Sequence, residues 1–265
     1  MAIGPTQSLL WSEEFVDHHG GQLSEDTWNF DIGDGSSAGL VGWGNNELEY
    51  YTKDAINIQN NLVITAQRVS EDSGLHCYYG PAQWTSGKIH TAGKIGFKFG
   101  RIEIKAKMPS GVGTWPALWL LGANLLDGVA WPHCGEIDIL ENTGAHPFQV
   151  QGTIHGDGYF GENGLTQIIQ SPTALSSDFH TYSINWTPDS IEWFFDDLCY
   201  NTINRADVEA QGKPWPFNQE FYLIMNLAIG GWFAGDVDPE LKSAELHIAS
   251  ISYYSLDGVG ELILH

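Results

Sequence analysis

The chain alternates. In GRIEIKAKMP (100–109), Ile102, Ile104, Ala106 and Met108 fall on one side, and Arg101, Glu103, Lys105 and Lys107 on the other. A period of two is met only by an extended strand with one buried face. NLVITAQR (61–68) repeats the pattern, and TYSINWTPDSIEWFFDD (181–197) reads as two strands around the turn TPDS. QEFYLIMNLAIGG (219–231) is a more fully apolar strand ended by two glycines, and AELHIASISYYSL (244–256) is a closing strand. Helical periodicity is almost absent. Many short strands between Gly, Asn, Asp and Pro turns predict an all-β chain, an antiparallel sandwich or barrel. No linker, repeat or low-complexity tract divides it, so residues 1–265 are read as a single domain. Two long segments, 29–46 and 155–172, are rich in Gly, Asp and Asn and read as loops; loops of that length are uncommon unless functional.

Charge narrows the partners. Lys and Arg number 11 against 33 Asp and Glu, a net charge of −22. Nucleic acid requires cationic surface to neutralise phosphates, so it is excluded as an expected partner. Sulfated polysaccharides and anionic membranes are disfavoured on the same ground, whereas a neutral substrate is not. No apolar run reaches the ~18 residues of a membrane span. Cys77, Cys134 and Cys199 allow at most one disulfide and show no zinc spacing; they read as small buried hydrophobes.

HCGEIDILENTG (133–144) is the segment with chemistry in it. Glu136 and Asp138 are spaced by two and share a strand face, with Ile137 and Ile139 opposite. The same period sends Glu141 into the apolar side, where an unpaired carboxylate is costly. A β-bulge at Ile139–Leu140 restores the phase and places all three acids on one face. Two carboxylates about 5–5.5 Å apart are the machinery of a retaining glycosidase, one attacking the sugar and one protonating the leaving oxygen. Like charges so close raise at least one pKa, and the group titrates as a coupled set. Spacing alone leaves two rivals open: a solvated polar face and a calcium site.

The surroundings favour a sugar site. GVGTWPALWLLG (111–122) sets Trp115, Ala117 and Trp119 on one face, two indoles over a small residue, a platform for the C–H faces of sugar rings. WGNNELEYYT (43–52) adds amides and aromatics suited to hydroxyls. GGWFAGD (230–236) places Trp232 in a glycine turn, where a core role is less natural.

These segments, with TSGKIHT, GTIHG and MNLAIGGWFAG in the same order, resemble the laminarinase-like branch of glycoside hydrolase family 16, whose signature takes the form E-x-D-x-x-E. The likeness runs from LLWSEEF to ISYYS. It implies a β-jelly roll of two curved antiparallel sheets with a cleft on the concave side. It also implies retaining endo-hydrolysis of β-1,3-glucan. Glu136 would be the nucleophile, Glu141 the acid/base, and Asp138 the residue that hydrogen-bonds the nucleophile and tunes its protonation. Trp119 would floor the subsite beside the scissile bond, with Trp115 further along. Asn45 matches an amide on the non-reducing side, His155 would lie near the acid/base, and Trp232 would line the cleft. Lys88 and Asn226 are carried over as further substrate contacts.

Two positions depart from the family pattern. Lys88 stands where arginine is frequent, which gives up bidentate hydrogen bonding. Ala249 takes the place of an aspartate through which many members hold calcium on the convex face. No cofactor and no catalytic metal is expected, and calcium remains only a candidate structural ion. A monomer without an obligate partner is expected. The N-terminus, MAIGPTQSLLWSEEF, lacks a basic segment and an apolar stretch of leader length. It reads either as cytosolic or as already stripped of a leader, and secretion is the expectation taken. The alternatives are a hydrolase or transglycosylase for another polysaccharide (mixed-linkage glucan, agar, carrageenan) and a non-catalytic glucan-binding module. Both glutamates are present, which favours an enzyme.

Overall fold

The computed structural model describes residues 5–16 and 21–265. The alternating segments pair into two large sheets. One runs, edge to edge, through Leu198–Asn204, Ser190–Phe195, His180–Trp186, Gly100–Lys107, Ser243–Leu256, Leu62–Arg68, Trp84–Ser86 and Glu49–Tyr51. The other runs through Leu165–Gln170, Gln149–His155, Glu136–Glu141, Thr114–Gly122, Phe221–Ile229, Ile95–Lys98 and Glu261–Leu264. Consecutive strands repeatedly cross between sheets, the arrangement of a jelly roll. Pairing is antiparallel, except that Glu49–Tyr51 lies parallel to Trp84–Ser86.

The core lies between the sheets. Ile102, Ile104, Ala106 and Met108 turn into it as their period requires, and so do Leu246, Ile248, Ile251 and Tyr253 of the closing strand. From the other sheet come Leu118, Leu120, Ile137, Ile139, Leu140, Leu223, Met225 and Leu227. Each such side chain contributes about 1.5–3 kcal/mol of burial. No helix among the described residues is long and apolar enough to cross a membrane.

Three details differ from the sequence expectation. Segment 155–172 is not loop throughout: Leu165–Gln170 forms an edge strand against Gln149–His155. Its side chains are mostly exposed, so it carries little apolar signal. The closing strand is bulged. Lys105 pairs with Ser250 but Ala106 with Ile248, which leaves Ala249 as the extra residue. Finally, Cys77 and Cys134 are buried as expected, but Cys199 is exposed, and all three are free thiols.

Candidate active site

The two central strands of the second sheet carry the site. Glu141 pairs with Ala117, Asp138 with Trp119 and Glu136 with Leu121. Leu118 pairs with Leu140, so Ile139 is the residue without a partner. The other neighbour shows the same slip, with Asp138 opposite Thr153 and Glu141 opposite Gln151. The bulge therefore sits where the broken alternation requires. Ile139 and Leu140 both enter the core, and the three acids stand opposite three successive same-face positions of the tryptophan strand.

Each acid has its own partners. Glu136 Oε2 accepts the Trp131 indole N–H at 2.7 Å. Glu141 accepts from Trp115 Nε1 at 3.0 Å and from Gln151 Nε2 at 3.3 Å. Asp138, 3% exposed, hydrogen-bonds the Glu136 carboxyl and stands with Oδ2 3.1 Å from His155 Nε2. Burial pushes Glu136 up to about 8, with the charge of Asp138 adding to it and His155 opposing it. Burial also raises Asp138 well above the carboxylate range, helped by the charge of Glu141. Glu141 is raised by burial too, against the pull of His155 and the Trp115 and Gln151 donors. Three carboxyls raised together hold fewer than three charges near neutrality, so the trio carries a transferable proton.

The tryptophans do more than form a platform. Trp115 holds Glu141 and meets Phe233 edge-on at 5.2 Å. Trp119 donates Nε1–H to Asn226 Oδ1 at 2.8 Å, which fixes the plane of its ring. Lys88 lies over Trp43 at 4.3 Å and over Trp119 at 5.4 Å, with Asp31 3.4 Å away, so it braces the platform from the side. The Asn45 side-chain amide donates to Glu47 at 2.9 Å, and its backbone carbonyl accepts the Trp232 backbone N–H at 2.9 Å. The Trp232 side chain is 76% exposed, on the turn beside Asn45.

His155 pairs in register with Glu136 and lies 3.1 Å from Asp138 and 3.9 Å from Glu136, and its charge also acts on Glu141. Trp131, Phe160, Gln151, Phe233 and Trp43 were not singled out from sequence. Trp131 and Phe160 meet edge-on at 5.4 Å and wall the cleft beyond Glu136. The signal for Trp131 was its place five residues before Glu136.

Among the described residues, one His/Asp/Glu grouping has ligand-like spacing, Glu136, Asp138 and His155, within 4.8 Å of one another. Two of its three members, Glu136 and Asp138, belong to the acid trio. At the family's calcium position, the Ala249 side chain offers no ligand atom, and its carbonyl accepts from the Phe15 N–H at 3.4 Å.

Known proteins with this arrangement agree on its class. Residues 43–249 match the model for glycosyl hydrolases family 16. A β-glucanase of Rhodothermus marinus is 41% identical across 94% of this chain and 86% of its own length. A glucan endo-1,3-beta-glucosidase of Cryptopygus antarcticus is 37% identical across 86% of this chain and 82% of its own. The laminarinase catalytic domain of Thermotoga maritima MSB8 superposes with a TM-score of 0.88 at 40% identity, covering 94% of this chain and 98% of that one. The bulged E-x-D-x-x-E strand, the fold around it and the match over most of the chain have one meaning: the chain belongs to glycosyl hydrolases family 16.

Proposed function

We propose that the protein hydrolyses β-1,3-glucosidic bonds within laminarin-type glucans, with retention of configuration. The observation that carries this is the bulged strand, which sets Glu136, Asp138 and Glu141 on one face between the Trp115–Trp119 platform and Trp131.

Glu136 is the nucleophile. It must be ionised, although burial and the charge of Asp138 push it up. A proton on Asp138, the most buried of the three, removes that charge and turns Asp138 into a donor toward Glu136. The Trp131 N–H adds a second donor. Hydrogen bonds to the charged form favour it. Glu136 then attacks the anomeric carbon while Glu141 protonates the departing glycosidic oxygen. The C–O bond to the leaving sugar breaks as the glycosyl ester on Glu136 forms. Glu141, now a carboxylate, takes a proton from water, which attacks the same carbon and frees Glu136. His155 keeps Asp138 and Glu136 aligned. Calcium has no step in this scheme.

A neutral polymer fits a chain of net charge −22, which repels sulfated or phosphorylated ones. Indole faces suit glucosyl rings. Asn45 on the cleft wall and Trp232 at its exposed edge extend the binding face beyond the acids. We take the working form as a secreted monomer: the polymer is met outside the cell, and every named group comes from one chain. A reducing-sugar assay on laminarin, curdlan, mixed-linkage glucan, agarose and carrageenan tests the reading. Short oligomers released fastest from laminarin support it. Activity confined to a galactan, or binding of laminarin without cleavage, overturns it.

A further inference from the structure

Glu47 and Glu49 are two carboxyls that hydrolysis itself leaves without a task. Both are buried, 5% and 0% exposed, on the segment that carries Asn45. Burying a carboxylate without donors is costly, and two side by side more so. The donors can be assigned one by one. Glu47 Oε1 accepts from the Asn45 amide at 2.9 Å, and Oε2 from the Tyr51 hydroxyl at 3.2 Å. Glu49 Oε2 accepts the Ile229 N–H at 2.7 Å. Glu49 Oε1 is buried and receives no donor among the described residues. The two carboxyls stand beside each other, and two adjacent buried carboxyls are held at least cost with one proton between them. Both Glu47 oxygens already accept from donors, so Glu49, with one oxygen free, is the carboxyl that holds it. Burial and the charge of Glu47 push Glu49 well above the usual range, and the charge of Lys88 opposes the rise that burial causes in Glu47.

The arrangement continues toward the cleft. Tyr51 donates to Glu47, so its oxygen is left to accept, and it accepts from Asn226 Nδ2 at 3.1 Å. That fixes the Asn226 amide so that its Oδ1 receives the Trp119 indole N–H at 2.8 Å. On the other side, Glu47 commits the Asn45 N–H₂ group and leaves its side-chain carbonyl to accept from a sugar hydroxyl.

We propose that Glu47 and Glu49 share one proton, resident on Glu49, and that this pair is the positioning element for the sugar contacts, orienting Asn45 directly and Trp119 through Tyr51 and Asn226. The proposal rests on the glucan-hydrolase reading of the cleft. Both residues act through others and touch no substrate.

The predicted variants are asymmetric. In Glu49→Gln an amide N–H replaces the carboxylic O–H, and the amide oxygen still accepts from Ile229. In Glu47→Gln an N–H₂ group is forced against the Asn45 amide or the Tyr51 hydroxyl. On laminarin, Glu47→Gln raises KM about tenfold with a much smaller change in kcat, and Glu49→Gln raises KM by less than about twofold. Glu49→Leu, which removes the donor, behaves like Glu47→Gln. In the wild-type minus Glu49→Gln infrared difference spectrum at neutral pH, the bands of Asp138 and Glu141 cancel and one protonated-carboxyl C=O band remains. A harmless Glu47→Gln with a damaging Glu49→Gln moves the proton to Glu47 and overturns the assignment. Two harmless variants overturn the positioning role. Unfolding of Glu49→Gln, or a difference spectrum without that band, contradicts the shared proton. If Glu47→Gln does not fold, the band and the Glu49→Gln kinetics decide. A wild type that leaves laminarin intact defeats the glucan reading instead, and the band still decides where the proton lies.

Discussion

The indole N–H of Trp131 donates to Oε2 of Glu136 across 2.7 Å. Trp131 also packs edge-on against Phe160, so the donor is held in place from behind. A donor aimed at a buried carboxylate stabilises its charged form, the form a nucleophile needs. Trp131→Phe keeps the ring and removes the donor. We expect kcat on laminarin to fall roughly 10- to 100-fold, the worth of a hydrogen bond to a charged group, with KM changed far less. Steady-state kinetics check this, and a fall in affinity alone would reassign Trp131 to binding.

Removing the nucleophile separates chemistry from binding. Glu136→Ala should lower turnover by roughly 10⁴-fold or more, while laminarin is still bound. The Trp115 and Trp119 rings keep their partners Glu141 and Asn226 in this variant. Calorimetric titration beside a reducing-sugar assay reads both quantities, and undiminished hydrolysis would remove Glu136 from its role.

The bulge can be deleted without touching an acid. Removing Leu140 leaves the run Glu-Ile-Asp-Ile-Glu, whose plain alternation keeps Glu141 on the cleft face without a bulge. Activity should survive in deletion protein that still folds. Leu140→Ala is the control: it keeps the bulge, costs about 2–5 kcal/mol as a core truncation, and leaves activity per folded molecule largely intact. Denaturant titration and assay of both variants make the comparison, and a folded deletion protein without activity would count against the bulge.

The raised acids make stability depend on pH in a definite direction. Glu136 goes from 4.5 unfolded to about 8 folded. Between those values the folded state binds more protons, so this carboxyl weakens the fold as pH rises through the window. Glu136→Gln removes that loss. The variant should gain on the wild type between pH 4.5 and about 8, by at most ~5 kcal/mol, and the gain should vanish below pH 4.5. Tm measured across pH tests the sign. A gain largest at acid pH would contradict it.

Much of this site was legible because broken alternation is a strong signal. One costly carboxylate, Glu141, out of phase with two others had one inexpensive solution, a bulge, and the register shows it. The same kind of signal lay unread in the closing strand. Leu246, Ile248, Ile251 and Tyr253 are spaced two, three and two, and Ala249 is the extra residue. No acid drew attention there, because an apolar phase slip raises no question of cost. The strand Leu165–Gln170 was missed for the opposite reason: on a sheet edge its polar side chains face solvent and no buried face imposes a period. Contacts such as Lys88 over Trp43, or His155 against Asp138, join segments far apart in the chain. Local spacing does not encode them.

The most direct measurement is capture of the glycosyl-enzyme. A 2-deoxy-2-fluoro laminari-oligosaccharide with a good leaving group slows the second displacement, and peptide mass mapping then locates the ester. The account predicts one label per chain, on Glu136. A label on Glu141, or turnover with inversion and no covalent adduct, would contradict it.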